Sequence, residues 1–166
     1  QDELTRVAEL LGAEVWEADN GEVNMSYSHP LYRGATGHMF GHSSLPILSK
    51  GDVNLVVGTY IVPEVFPELG DVWAKGSKVI HIDLNAHEIA KNHPVSMGVV
   101  ADPAIPLAAL AEALERALTS EGRLTAARRT RGSTRPRPDT ASRAPGVGDA
   151  HVARSEDRSR AARASA

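Results

Sequence analysis

The sequence predicts an α/β protein built on a parallel sheet. Three observations carry this. Apolar strand-like runs alternate with helical patterns, as in βαβ units. Two of those runs, DVNLVVGTY (52–60) and KVIHIDL (78–84), are nearly continuous in apolar residues, as expected of strands buried on both faces. Residues 104–118 then place Leu107, Leu110, Ala111, Leu114 and Leu118 at helical spacing.

In chain order, ELTRVAELL (3–11) sets Leu4, Val7, Ala8 and Leu11 on one helix face, and Gly12 supplies a left-handed stop. AEVWEA (13–18) reads as a short strand. Residues 19–46 are rich in Gly, His, Ser and Asn and read as a long loop, with a short helix near 34–42. The run 52–60 is the first buried strand, and 61–77 is irregular around Pro63 and Pro67. KVIHIDL follows, ending at Asp83. NAHEIAKN (85–92) reads as one or two helical turns stopped before Pro94. SMGVVAD (96–102) is a short strand. Asp102-Pro103 opens the last helix as cap and first position.

Charge divides the chain. Residues 1–118 hold 7 Lys+Arg and 16 Asp+Glu (7 − 16 = −9), whereas residues 119–166 hold 11 Arg and 5 Asp+Glu (11 − 5 = +6). Every aromatic residue lies at or before Trp73. The expectation is a core-forming domain over 1–118 and an Arg-rich disordered tail over 119–166, which lacks the apolar surface to offset its ordering entropy. An acidic body offers no phosphate-neutralising face, so no nucleic-acid partner is expected. The absence of cysteine excludes thiol chemistry and disulfides and fits a cytoplasmic, reducing setting. No apolar run approaches the ~18 residues of a membrane span, and no membrane partner is expected.

The chemistry-bearing residues concentrate in HPLYRGATGHMFGHS (29–43) and at the end of the 78–84 strand. Gly34, Gly37 and Gly41 permit close approach of backbone to a ligand. His29, His38 and His42 have residue types that can bind metal, yet no supporting ligand spacing, and no metal site is assigned. Asp83, at a strand end, either holds a ribose hydroxyl pair or caps the turn after it. His81 reads as a core histidine; His87 and His93 read as solvated. Dinucleotide, phosphate-loop and nucleophile-elbow motifs are absent.

Three ordered segments carry a resemblance. VIHIDLNAHEIAKN, VVADPAIPLAAL and HPLYRG, together with the run from 51 to 114, resemble the central domain of thiamine-diphosphate-dependent enzymes, the group of acetolactate synthase and benzoylformate decarboxylase. The resemblance covers roughly residues 3–118. It implies a Rossmann-like parallel sheet flanked by helices, of which this chain lacks the family's first strand. It implies a lyase or transferase acting on a small 2-oxo acid with thiamine diphosphate and Mg²⁺, in a homo-oligomer. In the family those groups are held by two flanking domains, so this stretch is expected to be a fragment, inactive alone. By the same resemblance His29 is the candidate catalytic proton carrier. Some members bind FAD or ADP on this domain, and Gly34, Gly37, Gly41 and Asp83 are the matching positions. Where acetolactate synthases carry an Arg-Phe-Asp-Asp-Arg segment, this chain has TYIVPEVF (59–66).

Overall fold

The computed structural model describes residues 1–18, 25–36, 41–59 and 70–133, and for 41–43 the backbone alone. Among the described residues nine elements follow one another: α1 (Asp2–Leu11), β1 (Val15–Glu17), β2 (Tyr32–Ala35), α2 (Gly41–Leu48), β3 (Val53–Val57), β4 (Lys78–Asp83), β5 (Met97–Val100), α3 (Ala104–Ala117) and α4 (Ser120–Gly132). The strand pairings among the described residues are parallel, which bears out the predicted α/β class. Among the described residues the strands form two sheets, β1-β2 and β3-β4-β5, rather than one.

Register explains where the core sits. Leu55 pairs with Ile80 and Val57 with Ile82, so these four side chains share a face. Leu55 and Val57 pack against Val7 of α1 and Leu107 and Ala111 of α3, which are all buried. The alternate face carries Val79, His81 and Asp83, buried in turn. A second cluster joins Ala8 of α1 to Met25 and Leu31, with Val15 and Tyr32 packed on it. One helix thus serves both sheets: Leu4 packs on both clusters. Arg6 of α1 spans to α3 with a two-pronged bond to Glu115 at 3.0 and 2.8 Å, which raises the guanidinium pKa above its ordinary value.

Several sequence expectations are corrected here. The 52–60 run is a strand over Val53–Val57 only, and it is half-buried rather than covered on both faces: it is an edge strand among the described residues, and Val53 is 56% exposed. The loop expected over 19–46 contains β2, and helix α2 covers 41–48; residues 37–40, within the helix expected near 34–42, lie outside the described residues. Residues 85–92 form single turns (Glu88 N–H to Asn85 O, 3.0 Å), and Ala90 at φ 58° prevents their joining into a helix. Helix α3 starts at Ala104 with Pro103 in the cap position expected of Asp102, and Asp102 Oδ1 accepts the Ala104 N–H at 2.9 Å from one residue earlier.

The largest correction concerns the tail. Residues 120–132, expected to be disordered, form α4, capped by Thr119 Oγ1 accepting the Gly122 N–H at 3.1 Å. Tertiary contact overrides composition. Gly12, at φ 60°, ends α1 without a side chain, and α4 lies against it closely enough that a Cβ there would stand 2.4 Å from the Ala126 carbonyl oxygen. Arginine side chains then find carbonyls at helix ends: Arg123 donates to Glu115 O at 2.7 Å and Arg129 to Leu11 O at 3.5 Å. Cations at helix C-termini are favoured by the helix dipole.

Candidate functional site

In parallel sheets, ligands gather at the carboxyl ends of strands. Gly34 and Asp83 both stand there. Gly34 is the third residue of β2, at φ 114°, a conformation that favours glycine, and its open side faces the Trp16 ring at 4.0 Å. Asp83 ends β4 and is 9% exposed. Its Oδ1 accepts the Asn85 N–H at 2.7 Å, and Asn85 Oδ1 accepts the His87 N–H at 3.1 Å. One carboxylate oxygen therefore shapes the turn, the capping alternative, while Oδ2 has no partner among the described residues.

His29 lies before β2, at the amino end of its sheet. Its Nδ1 accepts the Leu31 N–H at 3.2 Å. That fixes the proton on Nε2, which faces Glu9 Oε1 at 3.2 Å. Both ring nitrogens are thus engaged in holding the turn over 26–32 to α1. Leu31 O in turn accepts the Val15 N–H at 2.9 Å, which ties the turn to β1.

His29 and Gly34 belong to one segment, and Asp83 belongs to the other sheet. Gly41 is the first residue of α2, and Gly37 lies outside the described residues, as does His38. Among the described residues no group of three or more His, Asp or Glu could hold a metal ion. No helix is long and apolar enough to cross a membrane, again among the described residues.

Two histidines sort by position. His81 is fully buried in β4, as expected, and its Nε2–H donates to Thr59 O at 2.9 Å, clamping the chain just past β3. His93, expected to be solvated, is buried at 8% exposure. Sequence reasoning also missed a polar cluster around Glu14. Lys50 Nζ is 2.7 Å from it and Arg33 Nε 3.7 Å, and Arg33 Nη1 donates onward to Ser133 O at 2.8 Å. The only signal for it was the arginine inside HPLYRG.

Residues 1–112 match the family described as "Thiamine pyrophosphate enzyme, central domain". The chain belongs to that family. Sulfoacetaldehyde acetyltransferase of Rhodobacter capsulatus is 36% identical over 77 residues, 45% of this chain and 13% of that protein. The probable acetolactate synthase large subunit of Methanococcus aeolicus is 29% identical over 127 residues, 74% of this chain and 20% of that one. Among solved structures, the thiamine diphosphate-dependent 4-hydroxybenzoylformate decarboxylase of Rhodococcus jostii RHA1 superposes with TM-score 0.58 at 25% identity, over 68% of this chain and 21% of that one. The central domain described here thus spans 13 to 21% of the length of these relatives.

Proposed function

We propose that this chain acts as the central domain of a thiamine-diphosphate- and Mg²⁺-dependent enzyme that acts on 2-oxo acids, as a lyase or transferase, in a cytoplasmic homo-oligomer. The observation that carries the reading is the family match over 1–112, joined to relatives named as an acetolactate synthase and a benzoylformate-type decarboxylase. When bound, thiamine diphosphate supplies the nucleophilic carbon and the electron sink for cleavage beside a 2-oxo group. The domain's part is to support and space the segments that hold the cofactor.

On this reading the chain is inactive alone. The purified protein, given thiamine diphosphate, Mg²⁺ and either pyruvate or benzoylformate, is expected to show no turnover above the protein-free rate. Sustained decarboxylation would overturn the reading. His29 is the proton-carrier candidate within it; to serve a ligand, its Nε2–H must first leave Glu9, so its present geometry favours the holding role.

A second reading is favoured by Gly34 and Asp83 at strand carboxyl ends. The domain would bind ADP or FAD without catalysis, through the backbone at Gly34, Gly37 and Gly41 and the Asp83 carboxylate. Titration calorimetry with each nucleotide is expected to give saturable heat that Asp83→Ala removes. No heat from wild-type protein at millimolar nucleotide eliminates this reading and leaves the first intact.

A further inference from the structure

We propose that α4 is a releasable clasp whose far end fixes β2, so that undocking of the helix frees the strand that carries Gly34. The docking of α4 is unusual in what it omits. Ala126 is its one buried residue, and Leu124, its one large aliphatic side chain, is 56% exposed. A solvent-open cleft of about 320 Å³ lies between it and the adjoining helices, with Thr125 and Arg129 on its side and Leu10, Leu11 and Leu118 on theirs. Apolar burial therefore contributes little to its attachment.

What attaches it is a set of arginine bonds to carbonyl oxygens. Arg123 and Arg129 of α4 reach the C-terminal ends of α3 and α1. At the opposite end the direction reverses: Arg33 of β2 donates to the backbone oxygen of Ser133 at 2.8 Å and lies 3.3 Å from its hydroxyl. Arg33, the residue directly before Gly34, thus joins β2 to the end of α4. Such charge-assisted bonds are directional and depend on salt where they reach solvent.

Two features make release accessible. A free helix of 13 residues is marginal in water, so α4 gains disorder on leaving. Arg33 also keeps a partner when Ser133 departs, because Glu14 Oε1 is already 3.7 Å from its Nε. Regions with few buried apolar contacts open locally, below the free energy of global unfolding. Here local opening of α4 carries a consequence for β2, about 100 residues away in sequence.

Amide hydrogen exchange on the full chain tests this. The amides of 120–132 are expected to exchange at least about tenfold faster than those of α1 and α3. Arg123→Ala, which leaves Arg33 untouched, is expected to accelerate exchange in α4 and in 32–35 together. Should that variant fold poorly, raising NaCl from 0.05 to 1 M on the wild-type protein provides the same comparison. Exchange in α4 as slow as in α3 would overturn the proposal. So would acceleration in α4, by either means, with 32–35 unchanged.

Discussion

Replacing Gly12 with alanine is expected to lower stability by roughly 2–4 kcal/mol, and to do so in two separable parts. The first is intrinsic: Gly12 sits at φ 60°, where an L side chain costs about 1–2 kcal/mol. The second is steric. The added Cβ would stand 2.4 Å from the Ala126 oxygen, 2.9 Å from its Cα and 2.9 Å from Arg129 Cβ. Two of those three atoms are backbone, so rotamer change cannot relieve the collision. The steric part cannot exceed the free energy of undocking α4, since the helix can leave instead. Thermal melting by circular dichroism reads the total. Loss of helical signal before the main transition reads the α4 part. An alanine variant that melts as the wild type does, with α4 in place, would contradict the close approach itself.

His81→Ala is expected to be about as damaging, at roughly 2–4 kcal/mol, for a different reason. The imidazole is fully buried, so truncation leaves a cavity, and it also leaves Thr59 O without its 2.9 Å donor. His81→Phe separates the two effects. It restores most of the volume and none of the hydrogen bond, so about 1–2 kcal/mol of loss should remain. Equal losses for both variants would assign the whole effect to the bond. No loss for the phenylalanine variant would reduce His81 to a space-filling residue. Denaturant melts of the two variants, compared at their midpoints, decide between these outcomes.

The elements that could be read from sequence are those whose own side chains decide them. KVIHID is apolar at both parities and is a strand in the described sheet; 104–117 repeats leucine and alanine at helical spacing and is a helix. The elements missed are those decided by partners. YRGA carries no strand signature, and pairs because Leu31 is buried beneath β1 and Gly34 tolerates its φ. GHSSLPIL holds two serines and Pro46, and gives a weak helical pattern. The 120–132 stretch has almost no apolar periodicity, and carbonyls at the ends of α1 and α3 hold it, which no window of its own sequence contains. The candidate site divides in the same way. The placement of Asp83 at a strand end was legible because strand and turn adjoin in sequence. The commitment of both His29 nitrogens was not, because Glu9 lies 20 residues away on a helix whose packing must be known first.

The pairing of α1 with α3 also sets a schedule for synthesis. Val7 is covered by Leu107 and Ala111, and Arg6 meets Glu115 across 109 residues. Of the helices described, the one made first is thus among the last to find its partner. At about 5–20 residues per second, its apolar face waits roughly 5–20 s before α3 is made. Contacts of such long sequence separation also slow folding once the chain is free. During that interval α1 is an uncovered amphipathic helix, which makes its Leu4, Val7 and Leu11 face the natural point of capture for a chaperone or a neighbouring nascent chain.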